Sequence, residues 1–393
     1  MNCPFCAGQG TAYASEDRFA VTSDSKLIAD ESTVSYCPRC GCFYRERRAA
    51  QPERIEKVYS EYDLYAPSGR GEARVAFDVS ADGIPKSVRE LDFLSRFADV
   101  PQKGRILDYG CNHGLFLRAF LERYPEWEGT GADIEERYRQ SFAGHLPASA
   151  RYCCLPHEEP GSGFDVICCS HVLEHLPEPA AALRDMASRL APGGILFIQA
   201  VNPLLNPFFH VIFEQHHHFT PAGLRHVLEL CGLHLRCINT DWIGKEIAVI
   251  AARGPAAGDA CSGLDMEATA LQVGRHAESV RAVMAALARI AGSGTPVGIF
   301  GASIMGTWMA SRLEGLVQCF VDENTALQGG RHLGLPVVPP DKAPAGLPLL
   351  CAMPEHMARK LLRRLGEVCP GVLIAPPFSS TPLGGSEGTS HED

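Results

Sequence analysis

With 393 residues, 46% hydrophobic and 21% charged, the chain has the make-up of an ordinary globular protein of two or three domains. Its formal net charge of −10 excludes general nucleic-acid binding, which needs a basic face. No run approaches about 18 uninterrupted apolar residues. The N-terminus lacks a charged n-region and an apolar h-region, so neither a membrane span nor a secretory leader is expected. The 16 cysteines then read as thiols, with a metal site among them, and a cytoplasmic location is expected.

The first element is a pair of knuckles, Cys3-Pro-Phe-Cys6 and Cys37-Pro-Arg-Cys40, the second followed by Gly41. Thiolates at this spacing can turn both sulfurs toward one tetrahedral ion, and two pairs complete a closed four-sulfur site. The expected ligands of a structural Zn2+ are therefore Cys3, Cys6, Cys37 and Cys40, with Cys42 a bystander. Two redox pairs are the alternative. The gap between the knuckles predicts a small β-hairpin. Next comes Val58-Tyr-Ser-Glu-Tyr-Asp-Leu-Tyr65, dense in phenols. Tyr62 and Tyr65 are candidate acid/base or substrate-contacting groups, or else aromatic anchors.

Strands and helices alternate from Gly104 to about Arg253. A buried-strand run, Arg105 to Tyr109, ends in Asp108 and Gly110, turns through Asn112 and Gly114, and feeds an apolar helix from Leu115 to Phe120. A second strand, Gly129-Thr-Gly-Ala-Asp133, ends in a carboxylate, placed to accept the ribose hydroxyls of a nucleoside. A dinucleotide would ask for Gly-x-Gly-x-x-Gly, whereas this turn reads Asp-Tyr-Gly-Cys-Asn-His-Gly. It resembles the S-adenosylmethionine (SAM) loop of class I methyltransferases, with Asn112 where that family has its middle glycine.

Downstream, Phe164–Ser170 predicts a buried parallel strand leading into His171-Val-Leu-Glu-His-Leu-Pro177 and a helix through Leu190. Ala191-Pro-Gly-Gly194 reads as a helix stop and Ile195–Gln199 as the next strand. A helix from about Pro221 precedes Leu233–Asn239 and Glu246–Ala252, close enough for a hairpin. These motifs are similar in order and spacing to those of class I methyltransferases. The resemblance implies a seven-stranded α/β sheet. It implies that Asp108, Gly110 and Gly114 line the methionine end of SAM and Asp133 holds the ribose. It implies further that Ser170 and His171 border the cofactor, with Asn112 and Ile134 completing the set.

Phe213-Glu-Gln-His-His-His-Phe-Thr-Pro221 concentrates titratable groups. Glu214, His216, His217 and His218 are candidate bases or metal-binding groups, since an imidazole titrates near neutral pH. Three adjacent histidines cannot all face one ion from a regular element. The plainer alternative is a helix entry, with Thr220 as N-cap and Pro221 at the first position.

After a Gly/Pro-rich linker, a helix is predicted from about Met266 to Ile290. Pro296-Val-Gly-Ile-Phe-Gly-Ala-Ser303 and Val317-Gln-Cys-Phe-Val-Asp322 then form a second nucleotide-type βαβ with an incomplete glycine pattern. The layout from Cys3 to Pro377 resembles a subgroup of sugar C-methyltransferases with a zinc-binding N-domain, a SAM domain and a Rossmann-like C-domain. The resemblance implies domains at 1–50, a capping connector at 51–90, 91–253 and 264–377, with a disordered tail at 378–393. It implies SAM and structural zinc as cofactors and a nucleotide-linked keto-sugar as the small-molecule acceptor. Gln215 stands where the subgroup has a histidine, which leaves O- or N-methylation of another metabolite as the alternative. A non-catalytic metabolite-binding protein is the further alternative, and the sequence fixes no oligomeric state.

Overall fold

The computed structural model describes residues 2–14, 19–30, 32–46, 51–61, 84–254 and 265–377. Tyr62, Tyr65, much of the connector, the linker and the tail lie outside the described residues.

The N-terminal unit runs β1 (Thr11–Ala14), β2 (Phe19–Val21), β3 (Leu27–Ala29), β4 (Val34–Tyr36), β5 (Cys42–Arg45) and α1 (Gln51–Glu61). β2 and β3 form the hairpin expected between the knuckles. β1, β4 and β5 make an antiparallel sheet.

The central unit follows as α2 (Lys86–Phe97), β6 (Lys103–Tyr109), α3 (Leu115–Arg123), β7 (Glu126–Asp133), α4 (Arg139–His145) and β8 (Ala150–Cys154). It continues through β9 (Phe164–Ser170), α5 (Pro179–Arg189), β10 (Leu190–Val201), β11 (His217–Phe219), α6 (Pro221–Leu230), β12 (Leu233–Asn239) and β13 (Glu246–Arg253). Seven strands form one sheet in the order β12-β13-β10-β9-β6-β7-β8. β13 runs antiparallel to both neighbours, so the expected terminal hairpin is present. This is the mixed α/β sheet of the class I methyltransferase type. Fully buried Ile106, Leu107, Ile167 and Ile198 explain why the central strands read as continuous apolar runs.

Two elements differ from expectation. α5 stops at Arg189, and Leu190 already pairs with Phe164, so Ala191–Gly194 is a bulge inside β10 and not a free helix stop. α2 begins inside the expected connector, and its Leu91, Phe93 and Leu94 pack into the same cluster as Ile106 and Phe197.

The C-terminal unit comprises α7 (Met266–Ser293), β14 (Val297–Phe300), α8 (Ile304–Ala310), β15 (Val317–Val321), β16 (Arg331–His332), β17 (Leu335–Val338), β18 (Pro348–Cys351), α9 (Glu355–Leu365) and β19 (Val372–Ile374). Its sheet runs β16-β17-β15-β14-β18-β19. Val21 of the N-terminal hairpin and Phe208 of the central unit share a cluster with Trp308 and Ile299, so the units are joined by common apolar packing. Among the described residues no helix is long and apolar enough to cross a membrane.

Candidate functional site

The carboxyl ends of β6, β7 and β9 meet at one edge of the central sheet, where parallel α/β folds form their ligand crevice. Gly110 turns the chain out of β6 at φ +81°, and a Cβ there would collide with Cγ2 of Val172. Asn112 follows at φ +50°. Asn is among the few non-glycine residues that adopt this left-handed conformation, so it serves where a glycine was expected. Its backbone N–H donates to Asp133 Oδ2 at 2.9 Å, and the N–H of Glu135 donates to Oδ1 at 3.1 Å. Each carboxylate oxygen retains a further lone pair, so the acid is fixed yet still able to accept two ribose hydroxyls. Ile134, the next residue, is 60% exposed and offers an apolar face to a nucleobase.

Asp108 is buried, and burial, with Glu90 and Asp133 nearby, pushes its carboxyl up to about 8. A buried acid with no cationic partner among the described residues is what an ammonium group would stabilise. These residues therefore fit SAM: a cradle that a Cβ would fill, a ribose acceptor, and an acid for the methionine amine.

Ser170 and His171 join this site to groups that sequence reasoning did not single out. Ser170 Oγ donates to Glu90 Oε1 at 2.6 Å. His171 Nε2 stands 3.1 Å from Glu246 Oε1, and its Nδ1 3.7 Å from Glu174. Burial opposes charge on His171, yet the Glu246 carboxylate raises its affinity for a proton overall. Lys86, 3.6 Å from Glu90 and 3.4 Å from Glu246, joins the two carboxylates. Glu90 and Glu246 lie on α2 and β13, distant in sequence from the SAM motifs, so only the fold brings them here.

The second unforeseen group is a pair. Tyr59 of α1 stands with its Oη 2.8 Å from His175 Nδ1. The Tyr59 carbonyl accepts from Arg137 at 2.8 Å, so α1 reaches the loop after Asp133. On its other side His175 Nε2 faces Gln215 Nε2 at 3.5 Å. An amide NH2 only donates, which leaves the lone pair on Nε2 and the proton on Nδ1. Burial, with His171 and His216 nearby, lowers His175 to about 3, so it is neutral. Gln215 Oε1, on the side chain that faces this imidazole, and Glu174 Oε2 are buried without partners among the described residues. Orphaned buried polar atoms call for a bound partner.

The Glu214–His218 segment is not one surface. Its last two residues belong to β11, which pairs antiparallel with β5 and extends the N-terminal sheet. Glu214 is fully buried and its Oε1 accepts from the backbone N–H of Ser23 at 2.6 Å. His217 packs against Phe5 of the first knuckle at 5.1 Å. His218 lies 4.4 Å from the Phe209 ring, and burial with Arg45 nearby lowers its proton affinity well below the usual range. His216 donates its backbone N–H to the Glu174 carbonyl at 2.8 Å and lies within electrostatic reach of His175. The helix entry is as expected: Thr220 accepts from Gly223 N at 3.0 Å.

At the far end, Cys3, Cys6, Cys37 and Cys40 gather their sulfurs within 4.8 Å of one another. Cys3–Cys40 and Cys6–Cys37 are each 3.5 Å apart. Sulfurs about 2.3 Å from a central zinc form a tetrahedron of similar edge. The donor set therefore fits Zn2+. Cys42 lies outside it, donating toward the Gly223 carbonyl at 3.7 Å.

Comparison with known proteins agrees with this geometry. Residues 85–238 match the family described as "Methyltransferase domain". A ubiquinone biosynthesis O-methyltransferase of Xylella fastidiosa is 31% identical over 179 residues, covering 38% of this chain and 68% of that protein. The chain belongs to the SAM-dependent methyltransferases. A second relative of the same description, from Neisseria meningitidis, is 31% identical over 144 residues, covering 34% of this methyltransferase and 59% of the relative. The chain thus spans about three-fifths of that relative's length. A solved SAM-dependent methyltransferase from Mesorhizobium loti aligns at 18% identity with a TM-score of 0.37, over 44% of this chain and 99% of that one.

Proposed function

We propose that this methyltransferase moves the methyl group of SAM to a hydroxyl oxygen of a small molecule held between the central sheet and α1. The observation that carries the reading is the neutral His175, whose Nε2 lone pair faces the Gln215 amide, with Gln215 Oε1 and Glu174 Oε2 buried without partners among the described residues. SAM supplies an electrophilic methyl on a sulfonium. The chain's task is to hold the acceptor in line and exclude water. Asp133 accepts the ribose hydroxyls, and Asp108 balances the methionine ammonium. Tyr59 orients His175 through Nδ1, and Nε2, exchanging the Gln215 amide for the acceptor hydroxyl, receives its proton as the acceptor oxygen loses electron density.

Burial keeps His175 neutral, so its Nε2 can take the hydroxyl proton of an oxygen acceptor. The relatives named as ubiquinone biosynthesis O-methyltransferases support the same choice. Carbon methylation of a nucleotide-linked keto-sugar is the second reading, favoured by the nucleotide-type sheet of the C-terminal unit. The same proposal includes structural zinc on Cys3, Cys6, Cys37 and Cys40. It also includes the division at 1–50, 51–90, 91–253 and 264–377. Labelled SAM incubated with panels of phenols, catechols and nucleotide-linked keto-sugars, read by mass spectrometry, tests it. Label on oxygen supports the proposal, label on carbon selects the second reading, and label on neither panel overturns both.

A further inference from the structure

Glu90, His171 and Glu246 come from elements far apart in the chain: α2, the loop after β9 and the start of β13. One oxygen of each carboxylate and a ring nitrogen of the histidine lie within 4.8 Å of one another. His171 Nε2 stands 3.1 Å from Glu246 Oε1, yet no hydrogen bond joins them, and this buried nitrogen has no such partner among the described residues. Its in-plane direction is therefore left to another group. His171 is held at φ +52°, a conformation that strains a residue other than glycine.

Each member of the cluster is itself braced. Ser170 Oγ donates to Glu90 Oε1 at 2.6 Å, and Gln199 Nε2 donates to Glu246 Oε2. His171 Nδ1 faces Oε1 of the fully buried Glu174 at 3.7 Å. Metal-ligating imidazoles commonly turn their other ring nitrogen to a carboxylate in this way. Gln199 adds an independent sign. It is 0% exposed, its amide nitrogen is engaged by Glu246, and its Oε1 has no partner among the described residues. Its backbone carbonyl accepts from His171 N–H at 2.8 Å, so the residue flanks two members of the cluster. An amide oxygen buried at such a place calls for a donor or a cation.

We infer that Glu90, His171 and Glu246 bind a divalent metal ion, which displaces the Lys86 ammonium. Lys86 Nζ stands 3.6 Å from Glu90 and 3.4 Å from Glu246, both beyond the usual hydrogen-bond range, and one ammonium answers two carboxylates. Its side chain is 20% exposed, and the flexible stem lets it withdraw to solvent. Ligands about 2.1 Å from one ion at right angles stand about 3 Å apart. His171 and Glu246 already have that spacing, at 3.1 Å. One imidazole with two carboxylates is a mixed donor set that suits Mn2+. Three protein ligands leave positions for water or an acceptor oxygen. Asp108 is left to the methionine ammonium, so the ion and SAM use different carboxylates. The inference stands without the role given to His175.

The test is Mn2+ titration of the full chain followed by electron paramagnetic resonance, since the bound ion loses the sharp signal of the free one. Mn2+ is a poor ligand for the four thiols of the knuckles, so they do not compete. One saturable micromolar site per chain is expected. Glu246→Gln should weaken it about tenfold or more, for the loss of a charged ligand. Lys86→Met should tighten it about tenfold, because a like charge leaves the site. A gain of affinity cannot come from misfolding, so this second variant keeps the test valid even if Glu246→Gln fails to fold. Mn2+ binding is expected to persist when the chain is saturated with SAM. If SAM abolishes it, the cation position belongs to the methionine ammonium and the inference is overturned. Absence of a saturable site in the unmodified chain, or unchanged affinity in both variants, overturns it as well. SAM binding and methyl transfer are read separately, by calorimetry and by label, so failure here is distinguishable from failure there.

Discussion

Tyr59 Oη and His175 Nδ1, 2.8 Å apart, tie α1 of the N-terminal unit to the loop that follows β9. The bond fixes the imidazole with Nε2 turned toward Gln215 and away from solvent. His175→Ala is therefore expected to lower kcat on the order of 100-fold, with SAM affinity nearly unchanged. Tyr59→Phe should cost less and shift the pH profile, because it frees the ring to reorient. Steady-state kinetics paired with SAM titration checks both; a large loss of SAM affinity would refute the assigned roles.

The three adjacent histidines should separate. His218 is 1% exposed against Phe209, so His218→Ala should lower the melting temperature through a buried cavity while the folded fraction turns over normally. His216→Ala, beside His175, should lower kcat without that thermal loss. Thermal melts and kinetics on the two variants decide it, and a catalytic loss at His218 alone would reverse the assignment.

Asn112 at φ +50° predicts an unusual tolerance. Asn112→Gly should keep SAM affinity within about threefold, because glycine adopts this conformation freely. Asn112→Val should lose most of it, since a β-branched residue is strained there and the N–H to Asp133 would shift. Isothermal titration of both variants makes the comparison.

Much of this was legible in the sequence, and the reasons differ by element. The βα order, the terminal hairpin and the Asp108–Gly114 turn could be read because buried parallel strands and glycine turns leave local signatures. The gathering of the knuckles could be read because two Cys-x-x-Cys pairs leave a local spacing signature. His175 was on the page within His171–Pro177, but its partners Tyr59 and Gln215 are separated from it by 116 and 40 positions. Glu246 and Glu90 reach His171 and Ser170 only through sheet order and helix packing. The histidine run was legible as chemistry but not as location. The same three residues suit a helix entry and a base, and only the pairing of β11 with β5 shows how they are buried.

Asp108 sets a pH dependence. Its folded-state carboxyl is raised to about 8, so in the SAM-free protein its contribution to stability is full below about pH 4 and lost as pH rises toward 8. SAM's ammonium favours the ionised form, so affinity should rise with pH up to about 8 and binding should release a proton at pH 7. Titrations in buffers of differing ionisation enthalpy count that proton. Asp108→Asn should abolish the release and flatten the profile; an unchanged release would place the proton elsewhere.

The four sulfurs predict one zinc per chain. Elemental analysis should find it, and chelation or Cys37→Ser should lower the melting temperature by several degrees, because closed zinc sites stabilise folding. β5 begins two residues after Cys40 and pairs with β11, so zinc loss should also loosen the His217 strand. Full metal loss with an unchanged melt would contradict a structural role.

SAM is expected at the corner built by Gly110, Asn112 and Asp133. Calorimetric titration of the purified chain with SAM and S-adenosylhomocysteine, beside Asp133→Ala, tests it most directly. One site per chain is expected for each ligand. Asp133→Ala should weaken both by roughly 10- to 100-fold, the loss of hydrogen bonds from the ribose to a charged acceptor. Unchanged binding in Asp133→Ala, or no SAM binding by the unmodified chain, would contradict it.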